Sequence, residues 1–163
     1  MQYKAKAPYI VEAHWKIKEV LDGDSIIICH HYTKMEKVIR LYGLDAPEVS
    51  YNRKMKEHEQ ISQLPAQLLL QFGLEALHFV LSVAPLKTTV TIITEQNNFY
   101  DFWNRQLGYV ILPDGTCLNE LLLLKGYAKA THQYYCSKLK EYQVMNRQAQ
   151  MNRAGIYSVV RVF

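Results

Sequence analysis

The chain has 163 residues, of which 49% are hydrophobic; 19 Lys and Arg stand against 15 Asp and Glu, for a net charge of +4. That length suits one domain with a sizeable core and needs no covalent staples. The composition excludes a disordered chain and a disulfide scaffold, and the mildly basic balance permits a polyanionic partner without proving one.

Cys29, Cys117 and Cys136 share no metal-type spacing and read as reduced, partly buried thiols. The first ten residues carry no apolar signal-peptide core, and no run of about 18 apolar residues predicts a membrane span. As written, the chain is expected to be cytoplasmic, or secreted or periplasmic if a leader was removed, and to be a monomer.

Residues 1–12 read as an N-terminal extension. Residues 13–21 alternate through Trp15 and Ile17 and predict a strand. Asp22-Gly23 is a two-residue turn signal, and Ser25-Ile26-Ile27-Ile28-Cys29 is a β-branched second strand. A polar tip at His30–Lys34 leads into a third strand, residues 37–41. Residues 49–65 are polar, and Pro65 argues against a helix there. Leu70, Leu74, Leu77 and Leu81 mark one helical face. The Thr-Thr-Val-Thr-Ile-Ile-Thr run within 86–94 predicts a fourth strand, and 107–112 a fifth. A short helix over 118–125 stops at Gly126, and a last helix begins near Ser137, with Gly155 ending it. Five short antiparallel strands with three α-helices predict an α+β fold built on an OB-type barrel, as one domain over 1–163.

A hairpin turning near Tyr32-Thr33 pairs residues whose numbers sum to about 65. Asp24 then faces Leu41 beside Arg40, and Asp45 lies just beyond the strand at the same rim, with Glu48 on the departing loop. Carboxylates are ligands for a hard cation, and arginine matches phosphate oxygens with parallel hydrogen bonds. A carboxylate on the neighbouring loop suits a general base. Each piece alone is commonly structural: Asp-Gly is an ordinary turn and Glu48 by itself an ordinary solvated carboxylate. His30, His31 and the basic run Arg53, Lys54 and Lys56 are expected to be solvated.

Asp22-Gly23-Asp24-Ser25, followed by Ile39-Arg40-Leu41-Tyr42-Gly43-Leu44-Asp45-Ala46-Pro47-Glu48, resembles the two signature blocks of the thermonuclease (staphylococcal-nuclease-like) family. Further blocks follow in order: Tyr100 to Val110, Asn119 to Ala128, and Arg147 to Ser158. The resemblance implies a calcium-dependent nuclease that cleaves DNA and RNA with little sequence preference, favours single strands and leaves 3′-phosphate ends. It implies that Asp24, Asp45 and the Ala46 carbonyl bind calcium and that Asp22 supports them. Glu48 is the implied general base, and Arg40 and Arg105 the clamp on the scissile phosphate. Trp103, His132 and Tyr134 fall where substrate would be contacted. Ala46 stands where the best-known member has Thr, Phe102 and Trp103 replace a Lys-Tyr pair, and 49–71 is a longer loop at the mouth of the site. The competing reading is the same fold with weak or lost catalysis, binding single-stranded nucleic acid.

Overall fold

The computed structural model describes residues 8–163. Five strands close a barrel: β1 (Tyr9–Asp22), β2 (Ser25–His30), β3 (Glu36–Leu41), β5 (Thr89–Glu95) and β6 (Gln106–Ile111), in the order β1-β2-β3-β6-β5. Two-residue β4 (Leu44–Asp45) and β7 (Lys129–Ala130) pair outside it. Four helices surround the barrel: α1 (Arg53–Ser62), α2 (Ala66–Val83), α3 (Leu118–Leu124) and α4 (Leu139–Met151). The fold is the expected OB-type barrel in an α+β chain.

Four differences from the sequence reading have physical causes. First, β1 begins at Tyr9 and pairs Tyr9 with Glu95 on β5, so residues 9–12 belong to the barrel; residues 1–7 of the expected extension lie outside the described part. Second, β3 and β6 run parallel, through Ile39↔Gln106 to Leu41↔Gly108, and this pairing closes the barrel. Third, the stretch 49–71 is not a loop, because it contains α1 and the first turns of α2, which makes four helices instead of three. Asn52 caps α1 by accepting from the Met55 amide at 2.8 Å, while Pro65 occupies the cap position of α2, where its missing N–H costs nothing. Fourth, α2 has 18 residues of mean hydropathy 1.4, the length and apolarity of a membrane span. In the fold its Leu69, Phe72, Gly73, Ala76 and Val80 are buried.

The core fills the barrel with Ile17, Ile26, Ile28, Ile39, Leu41, Ile92, Leu107 and Tyr109, and Leu122 of α3 and Tyr142 of α4 extend it to one side. A second cluster of Met55, Leu69, Phe72, Ala149, Ile156 and Tyr157 ties α1 and α2 to the C-terminal segment. Cys117 and Cys136 are buried, Cys29 is half-buried, and none is paired.

Two glycines set how closely these layers approach the Asp-rich turn. A Cβ on Gly23 would lie 2.7 Å from the Ala46 Cβ and 2.8 Å from the Ala76 Cβ. A Cβ on Gly73 of α2 would lie 2.1 Å from the Glu48 carbonyl oxygen. Small residues therefore let α2 press against both the β1–β2 turn and the Pro47-Glu48 backbone.

Candidate active site

The β2–β3 register is Ser25↔Arg40 and Ile26↔Ile39, the predicted one, and the Leu41 amide donates to the Asp24 carbonyl at 2.9 Å. Arg40 is thereby fixed beside Asp24, and Asp45 follows on β4. The Arg40 guanidinium is 1% exposed and lies 3.2 Å from Asp24 Oδ2 and 3.1 Å from Asp45 Oδ1 through one nitrogen. Its other terminal nitrogen donates to the carbonyls of Leu41 and Leu44, both at 3.0 Å. An arginine buried this deeply is stable only because carboxylates and carbonyls replace its water.

Asp24 Oδ2 also accepts from the Ala46 amide at 2.8 Å, and Oδ1 accepts from Ser25 Oγ at 3.2 Å. Burial alone would push the Asp24 carboxyl up, but Arg40 and Lys54 hold it below the usual carboxylate range. Asp22 accepts from the Asp24 amide at 3.0 Å. Burial, and then the charge on Asp24, push Asp22 well above the ordinary carboxylate range. Asp45 is also raised, by burial first and by Asp24 second.

Lys54 of α1 enters where sequence reasoning placed a solvated basic run. Its Nζ lies 2.7 Å from Asp45 Oδ1 and 2.8 Å from Glu48 Oε1. The other Glu48 oxygen accepts from Asn52 Nδ2 at 2.9 Å. Burial opposes the charge on Lys54, yet Asp24, Asp45 and Glu48 hold it well above the usual lysine range. Asn52 thus both caps α1 and orients Glu48. The alternation of charged residues in Arg53-Lys54-Met55-Lys56 carries no signal for this, since only a helix start at Asn52 aims Lys54 inward.

The second arginine reaches the same cleft from the loop before β6. Asp101 folds that loop: its Oδ1 accepts from the amides of Trp103 and Arg105 at 2.9 and 2.8 Å, and its Oδ2 accepts from Arg105 Nε at 2.8 Å. The side chain of Asp101 is 3% exposed and that of Arg105 is 32% exposed, so the anchor is buried and the arginine faces outward. Tyr134 joins the two arginines. Its ring lies 3.7 Å from Arg40 Cζ, and its hydroxyl accepts from Arg105 at 3.5 Å. Sequence reasoning missed Asp101, Asn52 and Lys54 as positioning groups, although Asp101 lies four residues before Arg105 in a quoted block.

Asp22, Asp24, Arg40, Glu48, Asn52, Lys54, Trp103, Arg105 and Tyr134 line one open cleft of ≈ 410 Å³. Asp45 and Ala46 lie buried behind it. His132 is exposed on the turn after β7, outside that lining; the Thr131 hydroxyl accepts from the Gln133 amide at 3.2 Å and turns the chain there.

The calcium implied by the sequence can be weighed against these groups. Two buried carboxylates and a nearby backbone carbonyl are the donor chemistry a hard cation takes, and Glu48 adds a third carboxylate at the rim. Among the described residues, no three His, Cys, Asp or Glu side chains converge as a ready-made metal cage. The donors fit a hard cation in kind, while an ammonium group sits between two of them.

A family model described as staphylococcal nuclease homologue matches residues 38–159, well over half of the chain. No curated protein matches it.

Proposed function

The chain belongs to the staphylococcal nuclease homologue family, and we propose that it is a calcium-dependent nuclease hydrolysing phosphodiester bonds of DNA and RNA, preferably single-stranded, with 3′-phosphate products. The observation that carries this reading is the pairing of two arginines with acidic residues around one cleft, Arg40 between Asp24 and Asp45 and Arg105 beside Asp101.

Asp24, Asp45 and the Ala46 carbonyl are the residues that would hold calcium. Bound there, the ion supplies charge neutralisation and Lewis acidity at the phosphate. The chain's own groups account for the rest. Arg105, the more exposed arginine, binds a non-bridging phosphate oxygen first. Arg40, held in place by Asp24 and Asp45, meets the charge that builds as phosphorus becomes five-coordinate. Glu48 accepts a proton from the attacking water as the new P–O bond forms, and the bond to O5′ breaks, that oxygen taking a proton from water in the open cleft while the phosphate stays on the 3′ side. Lys54 and Asn52 orient Glu48 before substrate arrives.

The second reading, a binding module with weak catalysis, is favoured by one observation: both Glu48 oxygens and both terminal nitrogens of Arg40 already have protein partners. Cleavage of denatured DNA in calcium and in excess EGTA separates the two. The expected result is cleavage that stops in EGTA, with magnesium a poor substitute because of its rigid octahedral demand. Undiminished cleavage in EGTA would remove calcium from the proposal. Tight oligonucleotide binding without turnover would favour the binding module.

A further inference from the structure

The proposed chemistry uses the Lys54 ammonium only to orient Glu48 before substrate arrives. Asp24 and Glu48 line the cleft, Asp45 lies buried behind it, and Arg40 bridges Asp24 and Asp45. Lys54 supplies a second positive charge, placed between Asp45 and Glu48 at 2.7 and 2.8 Å. The two cations differ in how they are held. Arg40 is locked by backbone carbonyls and is 1% exposed, whereas the Lys54 side chain is 39% exposed. A lysine on a flexible four-carbon stem can turn out to water without breaking its helix. The helix itself is held by its own buried residues, Met55 and His58.

We infer that the Lys54 ammonium is the site's built-in counter-ion, a competitor that must leave Asp45 and Glu48 before a divalent cation can take hold. Lys54 keeps the carboxylates apart from one another and keeps Glu48 oriented in the metal-free state. A divalent ion gives the same carboxylates one more unit of charge and takes over their oxygens, and Lys54 swings towards solvent over the cleft. There its charge meets the next negative group to arrive, the substrate phosphate. Lys54 of α1 thereby sets the concentration of calcium at which the enzyme switches on. This inference rests on the calcium reading above.

The wild-type chain tests it without any variant. A zero-length carbodiimide joins an ammonium to a carboxylate only when they touch. In EGTA, mass spectrometry is expected to find Lys54 joined to Asp45 or Glu48, and saturating calcium chloride is expected to suppress that product. A cross-link yield unchanged by bound calcium would overturn the inference. Lys54→Met, or Lys54→Gln if the first variant does not fold, is titrated calorimetrically with calcium chloride alone. Its affinity is expected to rise about 5–150-fold, the usual size of a coupling free energy between two binding events, while Lys54→Arg stays near wild type. Equal or weaker calcium binding by the neutral variant would overturn the inference, as would no binding at all. The two readings fail separately: cleavage undiminished in EGTA removes calcium from catalysis, whereas an unchanged affinity with cleavage still calcium-dependent removes only the competition by Lys54.

Discussion

Arg40 and Arg105 serve one proposed task from different surroundings, and substitution should expose the difference. Arg40 spends its donors on Asp24, Asp45 and two backbone carbonyls in a buried setting. Losing such a cation altogether costs about 3–5 kcal/mol. Arg40→Lys keeps the charge but cannot satisfy that many acceptors, so it is expected to lower the melting temperature as well as turnover. Arg105 touches Asp101 and Tyr134 and is partly exposed. Arg105→Lys is expected to melt close to wild type while turnover falls on the order of 10²–10³, as when a transition-state donor is removed. Thermal melts and cleavage rates on the same preparations check both. Near wild-type turnover in a folded Arg105→Lys would exclude it from the phosphate clamp, and an unshifted melt for Arg40→Lys would contradict its structural role.

At the scale of elements, α2 and the loop bearing Glu48 are held together by the absence of a side chain. Gly73→Ala should help an isolated helix by up to about 1 kcal/mol. Here the added Cβ would stand 2.1 Å from the Glu48 carbonyl oxygen and 2.6 Å from its carbon, both backbone atoms that cannot simply rotate away. Overpacking of that kind costs about 1–3 kcal/mol, so the clash should win. The variant is expected to melt lower and to lose turnover, because relieving the clash shifts Glu48. A higher melting temperature would mean that propensity won and that α2 is not pressed against this loop. The same region shows where the sequence was legible. The β2–β3 register, and with it the Asp24–Arg40–Asp45 group, followed from alternation and a short polar tip, which are local signals. Helix α1 was not legible, because its only buried residues are Met55 and His58 and periodicity has little to act on. With α1 missed, Lys54 looked solvated. Closure of the barrel by parallel β3 and β6 joins residues far apart in sequence, and nothing local announces it.

Across the whole molecule, the candidate cleft does not end at Arg105. A second open cleft of ≈ 410 Å³ adjoins it, lined by Tyr100, Phe102, Trp103, Gln133, Tyr134 and Tyr135, and shares Trp103 and Tyr134 with the first. Phe102 is 93% exposed and Trp103 66% exposed, against the usual preference of large aromatics for partial burial at least. The loop that presents them is not slack, since the buried Asp101 carboxylate ties down the Trp103 and Arg105 amides. An exposed aromatic ledge leading into an arginine-lined cleft offers a stacking surface to bases, which present a π-face whatever their sequence. Trp103→Ala is therefore expected to weaken binding of a short single-stranded oligonucleotide by about 1–3 kcal/mol, the worth of one base–aromatic stack. Turnover at saturating substrate should change little, because Arg105 keeps its bonds to Asp101 without the indole. The loss should appear in KM with kcat nearly constant, the mark of an interaction made equally in ground and transition states. It should also persist at higher salt, since stacking is not screened as phosphate contacts are. Unchanged oligonucleotide affinity in Trp103→Ala would remove the ledge from the substrate path. A fall in kcat instead of a rise in KM would show that the indole acts through the placement of Arg105 and not through a base.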